Sequence, residues 1–149
     1  MKVTNVNDLK RRMVFENYSY YEVCKSTKYE GATMDNYRWL IADQWRMAAM
    51  RTTLMGLYCA MYYEFEVPPR YAITSGIRCP KVNILAGGVD NSNHVKGQAI
   101  DVWCDDMPAL WRALTEGHSA DFNEVIWYRS KNIIHMGNDD EGQRFIIRK

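Results

Sequence analysis

The chain has no CxxC pair; its four cysteines, Cys24, Cys59, Cys79 and Cys104, stand far apart. That spacing argues against a thiolate zinc knuckle. The N-terminal stretch MKVTNVNDLKRR lacks the apolar core of a signal peptide. Without a leader, reduced thiols are the expectation. No apolar run approaches the roughly 20 residues needed to cross a bilayer. The protein is therefore expected to be made in the cytoplasm, so an extracellular target needs a separate release route. Charge of one sign is missing too: the formal net charge is +1, which gives no argument for nucleic acid or an acidic membrane as partner. The run Lys10-Arg11-Arg12 is too short to alter that reading. There is no internal repeat and no low-complexity segment. Histidine is scarce, with His94, His118 and His135 the full set.

What is present is the composition of a folded domain. The 149 residues are 47% hydrophobic and 25% charged, enough for one core without disulfide staples. Aromatic residues make up 13%, and Trp103, Trp111 and Trp127 are expected in the core, not as a substrate platform. We read 1–149 as a single domain. Residues 1–34 form a polar, Tyr-rich segment of short helices and turns packed on a core of 35–149.

From Asp35 to about Phe65 the pattern is helical, with Asp35 as a candidate N-cap. Ile41, Trp45, Ala48, Met55 and Cys59 recur at helical spacing, and Leu40, Met47, Met50, Leu54 and Met61 widen that face. Pro68-Pro69 end the helix. Tyr71–Thr74 and 98–104 read as strands, with glycine-punctuated loops between them. Asp106 and Pro108 open a second helix to about Glu116. Strands are expected at Phe122–Tyr128, Asn132–Met136 and Arg144–Arg148, and their short connections favour an antiparallel meander. The class is α+β, an antiparallel sheet with helices packed on it.

The chemistry concentrates around the histidines. His94 and Asp101 are separated by VKGQAI, in which Gly97 can make the tight turn that brings the ends of the segment together. Asp101 lies in a strand beside Ala99, whose small side chain leaves room for the carboxylate. His135 lies in a later strand, facing away from Ile134 and Met136. If the two strands are neighbours, two imidazoles and a carboxylate converge, and zinc held by them keeps a fourth position for water.

The segment 73–104, ITSGIRCPKVNILAGGVDNSNHVKGQAIDVWC, resembles the zinc D-Ala-D-Ala carboxypeptidase family. That family includes D-alanyl-D-alanine carboxypeptidases, D-Ala-D-Ala dipeptidases and phage L-alanyl-D-glutamate endopeptidases. Its Ser-x-His-x-x-Gly-x-Ala-x-Asp stretch is matched at every fixed position by Ser92, His94, Gly97, Ala99 and Asp101. An upstream Ser-Gly-aromatic-Arg motif is similar to Ser75-Gly76-Ile77-Arg78, with Ile in the aromatic slot. A strand ending in His is similar to Ile133-Ile134-His135. The clear likeness spans 70–137.

The resemblance implies a hedgehog/DD-peptidase-like fold and one Zn2+ per chain held by His94, Asp101 and His135. It implies Arg78 and Ser92 as substrate-contacting groups, with Arg78 also holding developing charge. The implied substrate is the peptide of peptidoglycan. The lack of a leader, the small size and the lack of an anchor domain extend this to a phage or prophage lysin or a virion component.

Two positions depart from the family pattern. Ile133 stands where Trp is common, and Asn132 stands where an acidic general base is common. Glu124 is the substitute candidate for that base, if it faces inward. The alternatives are a zinc-bound water that needs little help, or a site that binds zinc and turns over poorly. Each site residue also has a plainer reading: satisfied structural histidines, a turn-capping Asp101, an Arg78 in a surface ion pair, a solvated Glu124. His118 is expected in a surface loop, and Cys79 and Cys104 only pack. Three functions remain open at this point: a peptidoglycan peptidase, a non-enzymatic phage structural or wall-binding module, and a zinc hydrolase of some other amide.

Overall fold

The computed structural model describes residues 2–149. The N-terminal segment contains α1 (Val6–Arg11), a small hairpin of β1 (Met13–Phe15) and β2 (Tyr18–Ser19), and α2 (Tyr20–Cys24). Both short helices begin with capping boxes, Asn5 with Asp8 and Ser19 with Glu22. Such reciprocal caps satisfy orphan N–H groups at the cost of little chain, which is how helices this short persist. Leu9, Val14, Tyr18, Val23 and Cys24 enter the main core, so this segment is part of the packed interior.

Two helices follow, α3 (Ala32–Ile41) and α4 (Gln44–Tyr63), where the periodicity predicts one. The break falls at Asp43, whose extended backbone lets its carboxylate accept from the amides of Trp45 and Arg46. Asp43, not Asp35, is the capping aspartate. Asp35 sits inside the first turn of α3, where it accepts from the Tyr29 hydroxyl and the Arg38 guanidinium. The expected boundary at 34/35 therefore cuts through a helix.

The interruption also resets the phase of the hydrophobic stripe. Ile41, Trp45 and Met55, expected in the core, are exposed, Trp45 at 76%. The buried face is Met50, Leu54, Leu57 and Met61, which follow the i, i+4, i+7 rule within α4 alone. Fully burying each of these contributes on the order of 1.5–3 kcal/mol.

The remaining elements are β3 (Tyr71–Ser75), α5 (Pro80–Leu85), β4 (Ala99–Cys104), α6 (Met107–Thr115), β5 (Glu124–Tyr128), β6 (Ile133–Gly137) and β7 (Arg144–Arg148). Helix α5 is absent from the sequence reading; Pro80 at its first position pre-sets the helical φ. The five long strands form one sheet in the order β3-β4-β6-β5-β7. Neighbours are antiparallel except for β7, which runs parallel to β5 at the sheet edge. The expected meander therefore stops at β6, and the chain crosses over β5 to add its last strand. The class is α+β, with α4 and α6 against the sheet. Trp111 and Trp127 pack on the core with ring centroids 6.1 Å apart. All four cysteines are free. Among the described residues, no helix is long and apolar enough to cross a membrane.

Candidate metal centre

Strands β4 and β6 lie at the middle of the sheet and pair with Asp101 directly opposite His135. Period-2 alternation sends Ile100, Val102, Ile134 and Met136 into the core, while Asp101 and His135 share the other face. The third residue, His94, arrives from the loop before β4. That loop is held from several sides. The His94 carbonyl accepts from the Arg78 amide at 3.1 Å, and the Ser92 hydroxyl accepts from the His94 amide at 3.2 Å. Trp39 donates its indole N–H to the Val95 carbonyl, and Thr53 donates its hydroxyl to the Gly97 carbonyl. The helical layer thus fixes the loop that carries His94.

Gly97 is the point of closest approach. Its φ of 76° is left-handed, and a Cβ there would lie 2.7 Å from the Arg46 carbonyl oxygen. Glycine meets both demands at once. Arg46 itself donates to the Trp39 carbonyl and stacks over the Trp39 ring at 3.6 Å.

Ligand atoms of His94, Asp101 and His135 lie within 4.8 Å of one another, and all three residues are buried. Asp101 Oδ1 is 2.9 Å from His135 Nδ1 and 3.3 Å from His94 Nε2. Its other oxygen, Oδ2, is 3.6 Å from Arg78 Nη2. Burial disfavours a charged Asp101, but the two imidazoles and their hydrogen bonds outweigh it and hold the carboxyl far below its usual range. His135 follows the same logic: burial opposes the cation, yet the hydrogen bonds to Asp101 and Glu124 push it up to about 9. Burial also lowers Arg78, an effect offset in part by the charge of Asp101.

This donor set fits a zinc ion. Two imidazole nitrogens and one carboxylate oxygen converge, and the outward nitrogen of each ring has its own partner. His94 Nδ1 meets the Gly76 carbonyl at 2.8 Å, and His135 Nε2 meets Glu124 Oε1 at 2.6 Å. Partners on the outer nitrogens are what metal-bound histidines require.

The site opens into a cleft of about 410 Å³ that Arg78, Ser92, Tyr128 and Lys131 help to line. A second cleft of about 450 Å³ adjoins it through Arg78, Asp101, Lys131 and Ile133, and Lys25 and Lys28 also line it. Among the residues expected at the site, His94, Asp101, His135, Arg78, Ser92 and Glu124 are all brought together. Ser92 spends one lone pair on the His94 amide and faces the cleft. Asn132 lines neither cleft. It closes the 3-10 turn Arg129–Lys131 with a left-handed φ of 53°, a conformation that asparagine tolerates better than most residues. His118 lies apart, its amide bonded to Glu64. The sequence reading missed Gly76, Tyr128 and Lys131. A carbonyl acceptor such as that of Gly76 carries no side-chain signature; its only signal was its place in the Ser75–Arg78 motif.

A family model described as Peptidase M15 matches residues 17–137. The chain belongs to the M15 peptidases. It is thus a member of a zinc-dependent metallopeptidase family, and its His-Asp-His cluster is compatible with that metal. No curated protein matches the chain.

Proposed function

We propose that this M15 peptidase hydrolyses peptide bonds of peptidoglycan stem peptides, as a carboxypeptidase or as an endolysin-like endopeptidase of phage origin. The observation that carries the reading is the convergence of His94 Nε2, Asp101 Oδ1 and His135 Nδ1 at the head of a cleft bordered by Arg78. His94, Asp101 and His135 would hold the zinc, which when bound polarises the scissile carbonyl and makes water nucleophilic near neutral pH.

The remaining work falls to the protein. Arg78, half-buried and steadied by Ser75 at 3.2 Å and by Asp101, offers a planar fork to a peptide carboxylate or to the oxygen that gains charge as the carbonyl is attacked. Lys25, Lys28 and Lys131 surround the same clefts with positive charge, which suits a peptide bearing carboxylates. Ser92 holds the His94 loop and presents its hydroxyl to substrate.

The test is incubation with purified peptidoglycan. New amine termini are expected from the wild type and none from Asp101→Ala. A second reading, a wall-binding module that keeps the fold, is favoured by one observation: the carboxylates that line the cleft, Asp101, Glu124 and Asp139, are each engaged by neighbouring groups, and Asn132 adds none. Tight binding to wall material with no new termini would select it. Turnover of other amides with none on wall material would select a different zinc hydrolase.

A further inference from the structure

Glu124 is 5% exposed, the first residue of β5, and paired in register with Gly137 of β6. The absence of a side chain at Gly137 is enforced by its neighbours, since a Cβ there would meet the Gln98 carbonyl at 2.5 Å and Ala99 Cβ at 2.9 Å. From this position Glu124 Oε1 reaches His135 Nε2 at 2.6 Å, while Oε2 lies 3.7 Å from Arg144 Nη1. His135 Nδ1, the other ring nitrogen, is the one that meets Asp101. Glu124 therefore lies at the far end of the ring from the His94–Asp101 pair.

We infer that Glu124 is a positioning residue for the metal centre and does not serve as the general base. The inference rests on the reading of His94, Asp101 and His135 as zinc ligands. A neutral imidazole carries one N–H and one bare nitrogen. Glu124 accepts the N–H from Nε2, which leaves the Nδ1 lone pair aimed at the cluster. The Gly76 carbonyl does the converse for His94, taking Nδ1–H and leaving Nε2 bare. The two rings thus present opposite nitrogens to a common centre, each selected by an acceptor behind it. Glu124 borders the cleft, but its Oε1 is committed to His135 and its Oε2 lies in an ion pair with Arg144, so neither oxygen is held out to the cleft by a hydrogen bond of its own.

The experiment compares wild type, Glu124→Gln and Glu124→Ala, with zinc affinity measured by chelator competition and kcat measured across pH. Glutamine keeps an acceptor oxygen but cannot take up a proton. We expect Glu124→Gln to bind zinc within a few-fold of wild type and to keep both kcat, within about tenfold, and the shape of the pH profile. We expect Glu124→Ala to lose about 10–100-fold in zinc affinity, as for other outer partners of metal-bound histidines. Long-range 1H–15N spectra of the zinc-loaded wild type should show the His135 proton on Nε2. A Glu124→Gln protein that holds zinc but loses more than about 100-fold in kcat, together with the acidic limb of its profile, overturns the inference in favour of a base. Unchanged zinc affinity in a folded Glu124→Ala protein, or a proton on Nδ1, overturns it as well. A wild type that takes up no zinc removes the metal reading itself, and is told apart from these outcomes before any variant is made.

Discussion

Asp101 and His135 stand opposite each other on adjacent central strands, and their side chains meet at 2.9 Å on the face turned away from the core. Everything else in the site is arranged around that pair.

The first consequence concerns metal content. Elemental analysis should find near one zinc per chain in the wild type and near none in His135→Ala. Saturating zinc should raise the melting temperature of the wild type alone; at a free concentration 100 times Kd the gain is about 2.7 kcal/mol. Equal zinc in both proteins would place the metal elsewhere.

In the metal-free protein the pair also sets a pH dependence. His135 is pushed up to about 9 against an unfolded value near 6.5, because hydrogen bonds to Asp101 and Glu124 outweigh burial. A raised value means that the folded state holds the proton more tightly. Its stabilisation is complete below about pH 6.5 and is lost as pH rises through about 9. Calorimetry of chelator-treated protein should therefore show the melting temperature falling across that window, with the fall absent in His135→Asn. A flat profile in the wild type contradicts this.

Gly97→Ala should cost at least about 1–2 kcal/mol from its left-handed backbone alone, with more from the Arg46 carbonyl 2.7 Å away. Because Gly97 sits between His94 and Asp101, zinc affinity should drop along with stability. Denaturant melts and chelator competition on one sample separate the two losses.

Arg78→Ala should keep its zinc and lose about 10²–10³-fold in kcat on the peptide substrate, the usual effect of removing one donor to developing charge. Full turnover in this variant would reduce Arg78 to a structural partner of Asp101.

The two faces of α4 give a contrast in stability. Leu54→Ala, at a fully buried position, should cost about 2–5 kcal/mol, whereas Trp45→Ala, 76% exposed, should stay within about 0.5 kcal/mol. Similar losses at both positions would mean that Trp45 is covered in solution.

The site was more legible in the sequence than the fold around it. His94, Gly97, Ala99 and Asp101 lie within eight residues, so one turn and one strand place them, and the spacing carries the geometry. His135 needed only the assumption that its strand neighbours that of Asp101. The face of α4 was misread because Asp43 interrupts the helix, and periodicity counted across a break mixes residues from two faces. The parallel placement of β7 has no local signal, since the loop from Gly137 to Arg144 is short enough for a hairpin yet crosses β5 instead. Glu124 was recognised as an acid near His135, but which ring nitrogen it would meet depends on side-chain geometry across a strand pair, which residue order does not encode.

The strand order has a consequence for the timing of assembly. His94 and Asp101 leave the ribosome well before His135, which lies 34 residues beyond Asp101, and the β4–β6 pairing that joins them must close over α6 and β5. Closing a loop of that length is a late, entropically costly event in folding. A nascent chain that ends before β6 therefore carries two of the three donors and no centre. The three-donor centre, on this topology, comes into being only once β6 has joined β4.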